Sequence, residues 1–128
     1  MEQILFKCTI PGRPYVKKNG AKVYGNKYVT TKQYRAWEKN AALFINSVAS
    51  MYPAAQLPFS GKFRLKAVFY FENGSSEPDL SALYEGIQDL LQKLGIIEND
   101  KFIYSHDGST KVIGTTQPRL EFFLFKIG

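Results

Sequence analysis

Residues 62–95 read KFRLKAVFYF, ENGSSEP, DLSALYEGIQDLLQKLG, and the change of period along them decides the fold class. In 62–71 the apolar side chains alternate: Phe63, Leu65, Ala67 and Phe69 fall on one side, Lys62, Arg64, Lys66 and Val68 on the other. A period of two is that of a half-buried strand. The polar stretch Glu72 to Pro78, with Gly74, Ser75 and Ser76, reads as a loop. From Asp79 the period becomes helical: Leu80, Leu83, Tyr84, Ile87, Leu91 and Leu94 form one apolar face, and Gly95 supplies a glycine stop.

The flanking segments extend this pattern. Gln3 to Ile10, rich in Ile, Leu, Phe and Thr, predicts a strand ended by Pro11-Gly12-Arg13-Pro14. Val23 to Val29 predicts a hairpin closed at Gly25-Asn26, a pair that readily takes positive φ. Thr30 or Thr31 can cap a helix running to about Met51, with Trp37, Ala41, Phe44, Ile45 and Val48 as its buried stripe. Pro53 stops it, and Tyr52 to Ser60 reads as a loop. Phe102 to Ser105 and Leu120 to Ile127 predict two further strands. The expectation is an α+β fold: one domain over residues 1–128, a mixed sheet with two main helices packed on one face. There is no repeat, low-complexity tract or linker, and 45% hydrophobic residues suffice for a core.

No run of 18 apolar residues occurs, so no membrane span is expected. Met1-Glu2-Gln3-Ile4 lacks the basic stretch and apolar core of a signal peptide. The single cysteine, Cys8, excludes an internal disulfide and a cysteine-rich zinc site, and inside a strand it reads as core. A cytoplasmic location is expected. Charge is unevenly spread. Residues 1–71 hold 12 Lys/Arg against two acids, residues 72–128 five against nine, so the two halves carry +10 and −4. A basic half attracts a polyanion, and clustered carboxylates can hold metal ions.

Seven acids lie between positions 77 and 107: Glu77, Asp79, Glu85, Asp89, Glu98, Asp100 and Asp107. Asp79, after Pro78, sits where an aspartate caps a helix and interacts favourably with its dipole. Asp100 lies in a turn just beyond the same helix. Two acids flanking one helix are expected to meet near one point and to grip a hard cation, which wants one or two carboxylates plus water and phosphate oxygens. Such a cation suits phosphodiester hydrolysis, activating water and neutralising the charge that builds on phosphate. His106 beside Asp107 can be a general base or a ligand, although a lone His is more often structural. Asp107 can add a ligand, or Asp107-Gly108-Ser109 can be a turn. With one His and no nucleophile elbow, Ser81, Ser105 and Ser109 form no triad.

Pro78-Asp79-Leu80-Ser81-Ala82-Leu83, then Gly95-Ile96-Ile97-Glu98-Asn99-Asp100 and Ile103, resemble the RusA family of Holliday-junction resolvases. That family carries an Asp-x-Asp-Asn-Leu helix start and a Gly-x-x-x-(Asp/Asn)-Asp turn, and the separation from Asp79 to Asp100 matches. Ile10-Pro11-Gly12-Arg13-Pro14, with Lys17, Lys18 and Asn19, resembles its Pro-Gly-x-Pro…Lys-Asn segment. The resemblance implies a Mg²⁺-dependent endonuclease, with Mn²⁺ as a possible substitute. It further implies a homodimer acting on four-way branched DNA in recombination and repair, often phage-encoded. Two positions depart from the pattern: Ser81 stands where the second aspartate belongs, and Glu85 where a catalytic lysine belongs. Positions 81 and 85 are one turn apart on one helix face, and side chains lean toward the N-terminus. Glu85 can therefore return the carboxylate missing at 81, so that Asp79, Glu85 and Asp100 are the expected catalytic and metal-binding set, with Ser81 as a cap or supporting group. The missing cation can come from Lys111, Lys101 or the Lys17-Lys18 pair. The other reading of these departures is a site that has lost activity in a protein that still binds DNA.

Arg13, Lys17, Lys18, Lys22 and Lys27 crowd a Gly/Pro-punctuated segment with Tyr15, Tyr24 and Tyr28 between them. Lys32, Arg35 and Lys39 continue the patch along one face of the first helix. Cations neutralise phosphates and aromatic rings stack on unstacked bases, so this is the expected DNA surface, reading shape and backbone rather than base edges. An unrelated interaction domain with a basic face for an acidic protein is the remaining alternative.

Overall fold

The computed structural model describes residues 2–16, 22–24, 27–29, 32–74 and 77–128, and the backbone alone of 22–24 and 27–29. The strands are β1 (Gln3–Pro11), β2 (Lys22–Tyr24), β3 (Lys27–Val29), β4 (Lys62–Phe71), β5 (Ile103–Ser105), β6 (Thr110–Ile113) and β7 (Arg119–Ile127). The helices are α1 (Lys32–Ala49) and α2 (Leu80–Lys93), with short 3-10 turns at Ala54–Gln56 and Asp100–Phe102. β7 lies antiparallel between β1 and β4, while β5 and β6 follow one another, both parallel to β4, along its other edge. The main sheet is therefore mixed, and β2 pairs with β3 in a separate antiparallel ribbon. The expected turn at Gly25-Asn26 and the expected cap at Thr30 or Thr31 lie outside the described residues, as does the Ser75-Ser76 part of the loop.

The alternation in β4 holds: Phe63, Leu65, Ala67, Phe69 and Phe71 are buried against Leu120, Phe122 and Leu124 of β7 and Phe6, Cys8 and Ile10 of β1. Both helices add their stripes to this one core, Tyr34, Trp37, Ala41 and Ile45 from α1 and Leu83, Ile87, Leu90 and Leu91 from α2. Phe44 departs from the expected stripe. It is 38% exposed, because it falls on the stripe's flank while Tyr34 extends the buried row toward the N-terminus. Cys8 is core as expected, and burial pushes its thiol pKa up to about 11. Gly95, at φ 76°, ends α2 in the left-handed conformation that a glycine adopts at little cost.

β6 is a strand beyond those that the local pattern predicts. Its four residues are exposed or half-buried, so no period-two apolar pattern marks them. Between β5 and β6 the edge strand is broken at His106–Ser109, and Ser109 repairs the ladder. Its hydroxyl accepts from the Ala67 N–H (2.9 Å) and donates to the Leu65 carbonyl (3.1 Å), doing for β4 what a neighbouring backbone would do. Ser109→Ala strands a buried amide and is expected to cost about 1–3 kcal/mol. Chemical denaturation measures this, and an unchanged midpoint would show that water replaces the hydroxyl.

Candidate active site

The end of the sheet where β4 and β6 finish and α2 and β7 begin gathers the charged groups of interest. The Gly114 N–H donates to the Phe71 carbonyl (2.9 Å) and the Gly12 N–H to the Pro118 carbonyl (3.0 Å), tying these loops together. Asp79 occupies the N-cap of α2 in an extended conformation, and its carbonyl accepts from the Leu83 N–H (3.1 Å). Its carboxylate makes no capping bond and is exposed. The structural job that best explains an aspartate at this position is thus not being done by its side chain. Lys111 reaches across from β6, its ammonium 3.2 Å from the Pro78 carbonyl oxygen and 3.7 Å from the Glu77 carboxylate. A cation is therefore held one residue from Asp79. Nothing in the spacing along the chain marks Glu77 as the partner of Lys111; only the folded position of Lys111 reveals it. Arg13, at the same end, pairs with Glu72 (2.7 Å) and lies over the Phe71 ring (5.0 Å).

Asp100 is elsewhere. Its N–H donates to the side-chain oxygen of Gln92 (3.0 Å), near the C-terminal end of α2, where Asn99 caps the short turn through the Lys101 N–H (2.9 Å). Gln92 follows Asp79 by 13 residues, which at ~1.5 Å per residue is roughly 20 Å of helix. The expectation that the acids flanking α2 meet at one point therefore fails within one chain: the helix separates them instead of folding them together. Among the described residues no three of His, Cys, Asp and Glu are grouped so as to hold a metal ion. Ser81 and Glu85 do share an exposed face of α2, one turn apart. Asp107 stands in a turn whose carbonyl accepts from Arg64 (2.7 Å), and its own N–H donates to the Ser105 hydroxyl (3.1 Å).

His106 turns inward from the same turn. Its ring stacks on Tyr84 (4.4 Å between centroids, 9° between planes) and hydrogen-bonds the Gln88 side chain. Burial holds its pKa below the ordinary value, favouring the neutral ring. It is a packing group between the edge strand and α2. Lys32, Arg35 and Lys39 are all exposed on α1, as their spacing predicted. Lys17, Lys18 and the side chains of Lys22 and Lys27 lie outside the described residues.

The donor chemistry suits a hard cation: an exposed carboxylate free of capping, at a helix N-terminus open to phosphate oxygens. No helix among the described residues is long and apolar enough to cross a membrane. A comparison with curated proteins finds no match. The family model for endodeoxyribonuclease RusA matches residues 7–124, from the second half of β1 to within β7, taking in both helices and every acid discussed above. The chain belongs to the RusA family of endodeoxyribonucleases.

Proposed function

We propose that this protein is an active, structure-selective endonuclease that cuts four-way DNA junctions as a homodimer, with Mg²⁺ (or Mn²⁺) as its metal. The observation that carries this reading is the exposed Asp79 carboxylate, left unspent at the start of α2 beside the Lys111 cation. When bound, the metal supplies an acidified water and neutralises charge on the scissile phosphate. Asp79 and Glu85 of one chain would hold it, with Asp100 of the partner subunit completing the set. Two copies of α2 laid antiparallel about a twofold axis bring the start of one helix to the end of the other, which overcomes the separation within each chain. Lys111, fixed by Glu77 and the Pro78 carbonyl, provides the positive charge that Glu85 cannot. Ser81, on the exposed face between Asp79 and Glu85, orients water or the carboxylates. The exposed row Lys32, Arg35 and Lys39 binds phosphates, together with Arg13, Lys17, Lys18, Lys22 and Lys27 of the N-terminal segment.

A second reading, a DNA-binding protein without cutting activity, draws on Ser81 and Glu85, which stand where the family pattern has an aspartate and a lysine. Mixing two inactive variants separates these readings. Asp79→Asn chains paired with Asp100→Asn chains regenerate one intact site per mixed dimer if the site is shared, so nicking of a labelled junction returns in about half the population. If the mixture stays as inactive as either variant alone while the wild type cuts, each site lies within one chain. A wild type that binds junctions and never cuts at any Mg²⁺ or Mn²⁺ level leaves the binding-protein reading.

A further inference from the structure

The two helices cover one face of the main sheet, and the opposite face carries aromatic rings under cations. Phe123 and Phe125 of β7 point away from the core and stack on one another (6.2 Å, 23°). The Lys7 and Lys66 ammonium groups lie over Phe123 (5.7 and 5.5 Å) and the Arg64 guanidinium over Phe125 (4.0 Å). Arg119 lies over Tyr70 (3.8 Å) at one end of the face, and Lys62 over Tyr104, itself 63% exposed, at the other. The register makes this array: Lys7 and Lys66 are the direct cross-strand partners of Phe123, and Arg64 that of Phe125.

The array is also held in place. The Asp107 carbonyl accepts from Arg64 (2.7 Å), and Glu2 pairs with the same guanidinium (2.9 Å). Gly108, at φ 89°, lets the turn lie against the stem of Lys66, where an added Cβ would come within 3.1 Å. Cations on the face outnumber acids, Lys7, Lys62, Arg64, Lys66 and Arg119 against Glu2, Glu121 and the Asp107 that acts on Arg64. Two copies meeting face to face would oppose these charges, which disfavours a second copy as the occupant and favours a polyanion.

We infer that the helix-free face of the sheet binds an unpaired DNA strand, whose bases stack on Phe123 and Phe125 while its phosphates are held by Lys7, Lys62 and Lys66. Lysines resting on rings can swing to phosphates as bases take their place, and a guanidinium plane is itself a stacking platform. β4 runs the length of this face, about 33 Å for its strand of ten residues. It ends at the loop that leads to Asp79, and Lys111 of the neighbouring β6 reaches the same place, so a strand laid along it arrives at the end of the sheet that holds the proposed cutting site. The inference rests on the nuclease reading only for the source of that strand, the unpaired segment of an opened junction.

Binding of fluorescent oligo-dT is measured without divalent metal, in the Asp79→Asn protein, so that cutting plays no part. Lys7→Gln with Lys66→Gln is expected to weaken binding about tenfold and to lower the slope of log K against log salt by about 1.4, since each phosphate contact on a single strand contributes ~0.7. Phe123→Leu with Phe125→Leu is expected to cost about tenfold or more through lost stacking. The lysine pair keeps the inference testable should the phenylalanine pair fail to fold. Ultraviolet crosslinks from oligo-dT are expected at residues 123–125. Unchanged affinity and slope in the lysine pair, or crosslinks confined to α1, overturn the inference. So does a change in sedimentation of the lysine pair with binding intact, which assigns the face to a second copy. Face-dependent oligo-dT binding by a wild type that cuts no junction supports the inference and sinks the nuclease reading alone.

Discussion

Asp79→Asn and Asp100→Asn are each expected to reduce junction cutting by more than about a hundredfold while leaving junction binding within a factor of two or so of wild type. Groups that merely support a ligand typically cost 10- to 100-fold when removed, so loss of a direct ligand should cost at least the upper end. Asparagine caps a helix as well as aspartate does. The Asp79 carboxylate makes no capping bond to lose, and the Asp100 contact to Gln92 uses only its backbone N–H. Neither change should therefore disturb folding, and a lost rate reports on chemistry. Single-turnover cleavage with Mg²⁺, beside gel-shift binding in chelator, makes the comparison. Glu85→Gln should be as damaging if Glu85 stands in for the family's second aspartate; a near-normal rate returns Glu85 to the solvated face of α2. Retained cutting in Asp100→Asn would remove that residue from the metal site and with it the case for a shared centre.

The second large effect is on stability. Phe122 is fully buried at the middle of β7, opposite Cys8 on one side and Ala67 on the other, and its ring stacks with Phe6 (6.0 Å). The neighbouring strand positions are too small to fill the space it would vacate. Phe122→Ala is expected to cost about 3–5 kcal/mol, transfer and cavity terms together. Domains of this size are stable by only about 5–15 kcal/mol, so much of the total is at stake. A lowered urea midpoint with an unchanged slope would register it. Phe123→Ala, one residue on and facing the other way, should lose clearly less. Equal losses would contradict the assignment of β7's two faces.

Much of this architecture is legible in local patterns. The β4 alternation, the α2 stripe and the glycine after it rest on periods of 2 and 3.6, which any chain with one core face must show. The family, too, is legible, because Asp79, Gly95 and Asp100 are ordered along one short segment. β6 is not legible there, because an edge strand of four exposed or half-buried residues carries no such period. β7 is legible as a strand, but Phe122-Phe123-Leu124-Phe125 is apolar throughout, so nothing local says which rings face the core and which face the cations.

The sequence by itself determined the elements other than β6, the core and the types of residue available for chemistry, since these depend on neighbours a few positions apart. The length of α2, legible in its period, already holds Asp79 and Asp100 apart within one chain. Tertiary structure alone decided two things. Lys111 is carried by an edge strand to the start of that helix. Register sets Lys7, Arg64 and Lys66 over the outward phenylalanines of β7. Each depends on where distant segments are brought by the packing of the sheet, and no spacing along the chain encodes it.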